Sequence, residues 1–315
     1  MEKRKLCIIT SDWEYGAGKL GTSTGPKLLL NACSESNIEV FQDVPVKHVD
    51  FDNQDKINVE FDQPAPFLKR GNTFLNHQER VAHEIENAYN QDHQVLYLSG
   101  DHSNAVGGIA GFCRTHDPKS TGIIWIDAHL DLHTPLTTPS GNIHGMALNT
   151  ALESNNEACQ SNDIDTDTLS TWNKIKALKR QGSVPAENIV FIGIRSYEEE
   201  EIALVKELGI QVYFAEDVHN MGMDNVISNT IEYLDSKTNH WYVSFDVDSL
   251  DPSLSQGTGT PVENGLQIDQ AKPLINALWN HPKTQCFEVT EINRELDLNK
   301  DMVQVICKLL KESMS

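Results

Sequence analysis

Three short groups of acidic and imidazole side chains stand out in this sequence of 315 residues as able to do chemistry. Asp127-Ala128-His129-Leu130-Asp131 closes the apolar run Ile123-Ile124-Trp125-Ile126, and Asp246-Val247-Asp248 closes Tyr242-Val243-Ser244-Phe245. Ser99-Gly100-Asp101-His102-Ser103 follows Val95-Leu96-Tyr97-Leu98 in the same way. A strand that ends in alternating Asp and His points those groups into one crevice, the arrangement a pair of divalent metal ions requires for hydrolysis.

The electrostatics support this reading. Four carboxylates (Asp127, Asp131, Asp246 and Asp248) crowded within roughly 4 Å would repel by about 4 kcal/mol per close pair at an effective dielectric of about 20. Two dications supply the four opposing charges, and His102 and His129 complete the set as neutral ligands. Oxygen-rich coordination with some imidazole suits Mn²⁺ or a similar ion better than a structural zinc held by thiolates. A magnesium site would use fewer histidines. A single Asp-x-Asp after a strand is commonly a turn or a helix cap, but three clusters of this kind argue for a metal centre.

The elements that must position these groups alternate along the chain. Expected strands are Leu6 to Thr10, Val95 to Leu98, Ile123 to Ile126, Ile189 to Ile194, Gln211 to Phe214, Trp241 to Phe245 and Cys286 to Val289. Expected helices are Asn76 to Tyr89, Ala105 to Cys113, Thr168 to Arg180, Glu198 to Leu208, Met223 to Leu234, Ile268 to Trp279 and Lys300 to Glu312. Strand, helix, strand order predicts an α/β fold: a three-layer sandwich with a mostly parallel central sheet and helices on both faces. In such a sheet the ligand crevice lies beyond the carboxyl ends of the strands, where all three clusters fall. The segment Val46 to Asn72 reads as irregular loop and Glu153 to Asp167 as a surface insertion.

No Pro/Gly/Ser-rich linker divides the chain, so residues 1–315 are expected to form one catalytic domain. The formal net charge of -21, with no Lys/Arg block to interrupt it, disfavours nucleic acid and anionic membrane and favours a cationic substrate, although solubility alone also accounts for a global charge. Six scattered cysteines without a CxxC pair suggest free thiols in a reducing compartment. The run Leu6-Cys7-Ile8-Ile9 is too short for a signal sequence, so a cytoplasmic location without a membrane span is expected.

Gly100-Asp101-His102-Ser103, Asp127-Ala128-His129-Leu130-Asp131, Ser244-Phe245-Asp246-Val247-Asp248 with Asp251-Pro252, and Gly257-Thr258-Gly259-Thr260-Pro261 resemble the signature blocks of the ureohydrolases, the arginase and agmatinase superfamily. The resemblance runs from Gly16 to Asn293. Within it, the loop from Thr134 to Gly145, with Pro139-Ser140-Gly141-Asn142-Ile143-His144, is similar to the arginase version, which agmatinases lack.

The resemblance implies an arginase-like fold and two Mn²⁺ per subunit, with a metal-bridging hydroxide attacking the guanidinium carbon of L-arginine to give L-ornithine and urea. It implies His102, Asp127, His129, Asp131, Asp246 and Asp248 as ligands. Asp131 would relay a proton to the leaving nitrogen and His144 would exchange it with solvent. The alternative for His144 is an ordinary loop histidine. Glu291 matches the acid that pairs with the planar guanidinium, with Glu288 the competing choice on the same run. His133, Ser140 and Asn142 would face the substrate carboxylate, Glu198 the α-amino group, and Thr260 the metal pocket. Glu198 also reads as an ordinary acid at a helix start. Trimers or hexamers are implied for the assembly.

The chain departs from the family pattern at His133, where asparagine is usual, and at Ser99, Ala147, Asn264 and Arg294. Two rival readings remain: agmatinase or another guanidino-compound ureohydrolase, and a metal-bound regulatory protein that binds arginine or ornithine without turnover.

Overall fold

Along each central strand, alternate side chains enter two different cores. On one face of the sheet, Val95, Tyr97, Ile123, Trp125, Ile189 and Phe191 pack together; on the other, Leu96, Leu98, Ile124, Ile126, Val190 and Ile192 do so. Both sets are apolar, which is why these runs read as continuous hydrophobic stretches and belong to a sheet covered on both sides.

The structure is a computed structural model and describes residues 5–62, 65–298 and 302–314. The strands are β1 (Lys5–Ser11), β2 (Val46–Val49), β3 (His93–Ser99), β4 (Thr121–Ile126), β5 (Ile189–Ile194), β6 (Gln211–Phe214), β7 (His240–Asp246) and β8 (Thr284–Thr290). Among the described residues they form one eight-stranded sheet in the order β2-β1-β3-β8-β7-β4-β5-β6, parallel throughout.

Helices α3 (Gly71–Asn90), α4 (Ala105–Thr115), α5 (Thr166–Lys176) and α6 (Glu199–Leu208) bury Val81, Phe112, Trp172 and Leu204 against one face. The other face is covered by α1 (Gly25–Glu35), α8 (Met223–Asp235), α9 (Ile268–Trp279) and α10 (Met302–Ser313), through Leu29, Val226, Leu274 and Ile306. Two shorter helices, α2 (Asn53–Phe61) and α7 (Ala215–Met221), complete the set. The result is the expected three-layer α/β sandwich.

All seven expected strands are present. The expectation of an irregular loop from Val46 to Asn72 is overturned, because that segment holds β2, α2 and the start of α3. β2 is a short edge strand whose Lys47 and His48 are exposed, so it lacks the apolar run that marks the central strands. The signal for α2 was present in Asp52 and Asp55, which form a reciprocal capping box. The last helix was expected from Lys300, a residue outside those described; its described part begins at Met302.

All six cysteines are free thiols. No helix among the described residues is long and apolar enough to cross a membrane.

Helices α3 and α4 approach closely because α4 presents small residues. A Cβ added at Gly111 would lie 2.5 Å from the Ala82 carbonyl oxygen and 2.8 Å from Ile85 Cβ. Gly111→Ala is therefore expected to destabilise the fold by about 1–3 kcal/mol through overpacking, partly offset by about 1 kcal/mol of helix propensity. A lowered thermal midpoint checks this; an unchanged or raised one would show that the helices can separate freely.

Candidate metal centre and substrate cleft

The strand order brings β3, β8, β7 and β4 side by side, although β3 and β4 are consecutive in the chain. Their carboxyl ends deliver His102, Glu291, Asp246 and Asp127 respectively. The register is close to level: Leu98 pairs with Val289, Phe245 with Val289 and with Ile126, and Asp246 with Thr290. Backbone bonds continue past the strand ends, from Asp127 N to Ile192 O at 3.1 Å and from Glu291 N to Gly100 O at 2.9 Å. Beyond the sheet edge, four adjacent strands thus converge on one point.

At that point His102 Nδ1 lies 3.0 Å from Asp127 Oδ2, 3.1 Å from Asp131 Oδ2 and 3.1 Å from Asp246 Oδ2. One ring nitrogen carries at most one proton, so three carboxylate oxygens at that distance cannot all be its hydrogen-bond partners. Indeed His102 Nδ1 and Asp127 Oδ2 are both buried without a well-formed hydrogen bond. Neighbouring ligands in an octahedral shell with bonds of about 2.1 Å sit about 3.0 Å apart, which is the spacing found.

His129 Nδ1 lies 3.4 Å from Asp127 Oδ1 and 3.2 Å from Asp248 Oδ2. Two groups able to hold a metal ion therefore overlap, His102 with Asp127 and Asp131, and Asp127 with His129 and Asp248. Their donor chemistry and the orphaned atoms fit divalent cations.

Protonation follows the same crowding. Burial, reinforced by the neighbouring carboxylates, raises Asp131, Asp246 and Asp248 above the usual carboxylate range. Burial also opposes charge on Asp127 and on the rings. There the pairing wins: His102 and His129 hold Asp127 well below its usual range, and the carboxylates raise both imidazoles. Bound cations would take over the neutralising role that protons play without them.

Behind the ligands, a buried relay orients His102. Its Nε2 is 2.8 Å from Ser244 Oγ, whose hydroxyl donates to Glu288 Oε2 at 2.9 Å. With its one hydrogen committed to Glu288, Ser244 accepts from His102 Nε2–H, which leaves the Nδ1 lone pair facing the carboxylates. Glu288 also accepts from Ser99 and Tyr242 hydroxyls at 2.7 and 2.8 Å. Trp125 stacks on the His102 ring at 4.0 Å between centroids. Sequence reasoning gave Ser244 and Trp125 no role; both alternate with the ligands on the two metal strands, and that alternation was the available signal.

A cleft of about 290 Å³ opens over the centre, lined by His102, Asp131, Asp246 and Asp248 at its floor and by Glu291 and His144 at its wall. Glu291 lines this cleft while Glu288 lies behind it, fully buried. Glu291 Oε1 accepts from His102 N–H at 2.8 Å and lies 3.6 Å from His144 Nδ1. Burial opposes charge on His144, but Glu291 raises it above the ordinary imidazole value. Thr260 donates to Asp248 Oδ2 at 3.0 Å. A more open depression of about 440 Å³ beside His48, Arg80 and His83 contains none of the groups able to hold a metal.

His133, Ser140 and Glu198 line the distal part of the cleft; Asn142 does not, and its side-chain oxygen accepts from Lys69 Nζ at 3.2 Å. His133 engages Thr137 through Nδ1 at 3.1 Å and Glu198 through Nε2 at 3.2 Å. Glu201, missed in the sequence although it stands at capping-box spacing from Glu198, lies 3.7 Å from the same Nε2. His133 holds Glu198 down to about 2, burial pushes Glu201 up to about 8, and the two acids raise His133 against the effect of burial.

Known proteins resemble this chain in both sequence and fold. The arginase family model matches residues 4–315. An arginase of Bacillus subtilis is 30% identical, with 99% of this chain and 99% of that protein covered. Human arginase-1 is 30% identical over 94% of this chain and 87% of its own. Among solved structures, the arginase of Bacillus caldovelox superposes with a TM-score of 0.84 at 27% identity, covering 99% of each chain. The arginase of Entamoeba histolytica in complex with L-ornithine gives 0.82 at 25% identity, covering 99% and 98%.

The fold and site define a metal-dependent hydrolase built on a three-layer α/β sandwich. The chain belongs to the arginase family.

Two outcomes are expected of the metal centre. Because His102, Asp246 and Asp248 hold their protons to higher pH in the metal-free protein than they ordinarily would, a cation competes with protons there, and metal affinity should strengthen as pH rises and fade as it falls. Calorimetric titration of Mn²⁺ into metal-free protein, in buffers of different ionisation enthalpy, measures the released protons; a pH-independent affinity would contradict the assignment. Ser244→Ala should weaken metal retention by about 10–100-fold by freeing the His102 ring, as read by dialysis against chelator.

Proposed function

We propose that this chain is an arginine amidinohydrolase, cleaving the guanidinium group of L-arginine to L-ornithine and urea with two Mn²⁺ per subunit. One observation carries the reading: two groups able to hold a metal ion share the buried Asp127 and present His102, His129, Asp131 and Asp248 to a cleft that Glu291 also lines. The relative solved with L-ornithine supports the substrate class. His102, Asp127, Asp131, Asp246, His129 and Asp248 are the residues that would hold the pair of ions. When bound, such a pair lowers the pKa of water enough to supply a nucleophile near neutral pH, which a delocalised guanidinium carbon demands.

The remaining roles fall to the side chains. Glu291 accepts the planar fork of guanidinium N–H groups and fixes the carbon against the cleft floor. Asp131, with its carboxylate at the centre, takes up the proton released by the nucleophile and returns it to the departing nitrogen. His144 exchanges that proton with solvent, since its side chain is 23% exposed at the cleft wall while its ring faces Glu291.

Farther out, Glu198 offers a carboxylate to the α-amino group. His133 and Ser140 are the lining candidates for the α-carboxylate, which Asn142 joins only on release from Lys69. The reading takes residues 1–315 as one catalytic domain of a cytoplasmic homo-oligomer, a trimer or hexamer, with a small guanidino compound as its partner and neither nucleic acid nor membrane. The family match over residues 4–315 supports the single domain.

The deciding assay measures urea and amine products from arginine, agmatine and other guanidines with Mn²⁺-loaded protein. Ornithine and urea from arginine at the highest kcat/KM are expected. Faster turnover of agmatine would assign the chain to agmatinases instead, and binding without urea would make it a non-catalytic binder. Asp131→Asn should lower kcat by about 10²–10⁴-fold and weaken metal retention; full activity in that variant would remove Asp131 from both the proton relay and the ligand set.

A further inference from the structure

Asp101 is a buried carboxylate that does not line the cleft. It is 0% exposed and stands next to His102 in the chain. Its Oδ2 accepts two consecutive backbone N–H groups, Gly16 at 2.7 Å and Ala17 at 2.9 Å. Its Oδ1 accepts Ser103 N–H at 3.0 Å and the Ser103 hydroxyl. The clamped loop then reaches the cleft wall, because Gly16 O accepts the backbone N–H of His144 at 3.2 Å.

The structure assigns to Asp101 the positioning of His144, exerted through the Gly16 backbone, so that the loop bearing the imidazole is tied to the strand end that bears His102. This rests on the proton-exchange role proposed for His144. A carboxylate suits the task because it accepts from all four donors at once, and charge-assisted bonds to N–H groups are about twice as strong as neutral ones. The joint is also tight: a Cβ at Gly16 would run into the Ser103 side chain and come within 2.8 Å of Asp101 Oδ1.

A chain of contacts of this kind acts on geometry, where a misplacement of about 1 Å can cost 10²-fold in rate. Asp101 is thus a positioning residue, and its loss should be felt at His144.

The test uses Gly16→Ala, which displaces the joint while leaving every metal ligand and cleft residue intact, on the Mn²⁺-loaded full chain. Metal content by elemental analysis should stay at the wild-type value and KM for arginine within about twofold, while kcat falls by about 10–100-fold and the pH dependence of kcat changes. In a His144→Ala background, Gly16→Ala should cost nothing further. Asp101→Ala should behave as Gly16→Ala does. Asp101→Asn should recover part of the loss, since its amide oxygen still accepts from Gly16 and Ala17 while its NH2 group opposes the Ser103 N–H.

Multiplying effects of Gly16→Ala and His144→Ala would overturn the assignment, as would loss of metal in Gly16→Ala with an unshifted pH profile. If His144→Ala alone retains wild-type kcat, the proton-exchange role itself has failed, an outcome that the single variant separates from the positioning claim.

Discussion

Mutual repulsion among Asp127, Asp131, Asp246 and Asp248 is the constraint on which the molecule is built. Each of the four is at most 7% exposed, so water cannot screen them, and the backbone must hold them together against their own charge. A single loop could not do this. The carboxylates come from two non-consecutive strands whose places are fixed by apolar layers above and below, and the cost of convergence is spread over the whole sheet. The left-handed backbone at the buried Asp131 (φ 52°) and Glu291 (φ 66°) belongs to the same account, since non-glycine residues adopt this conformation uncommonly and a glutamate more rarely than an aspartate.

The strand order explains why the sheet is wound as it is. Had β4 paired with β3, the chain's simplest course, His102 and Asp127 would be neighbours but the β7 carboxylates would lie beyond them. Insertion of β8 and β7 between β3 and β4 instead brings Glu291 and Asp246 into the middle. The reversal of winding there creates the crevice in which an open α/β sheet places its ligand. Glu288 then serves a purpose that only the interior could give it. Three residues before Glu291 and still inside β8, it faces away from the cleft and sets the tautomer of His102 through Ser244.

Much of this was legible in the residues. Uninterrupted apolar runs announced the central strands, and the clustered Asp and His side chains that could hold a metal were legible because they follow such runs at the strand ends. Pairing order was not legible, because every central strand is apolar on both faces and carries no label for its neighbour. β2 escaped because an edge strand exposing Lys47 and His48 looks like loop. The choice between Glu288 and Glu291 also required coordinates, since the two acids differ in surroundings rather than in type. Glu201 escaped for a related reason: an acid in the first turn of a helix is the commonest of features, and only its burial against His133 and Leu132 sets it apart.

That last contact links the two ends of the cleft. Glu201 accepts from Leu132 N–H at 2.9 Å through one oxygen and from Glu198 N–H at 3.1 Å through the other, so one carboxylate holds both the loop leaving Asp131 and the start of α6. His133 adds a second tie, from the same loop to Glu198. With asparagine at this position the loop would present a neutral amide; with His133 it presents an imidazole whose pKa Glu198 and Glu201 raise above the ordinary value. The distal end of the cleft is therefore tied to the loop that leaves Asp131. On the proposed role of Glu198, a substrate head group engaging its carboxylate would compete with His133, and the strength of that pairing would set how tightly the head group is held.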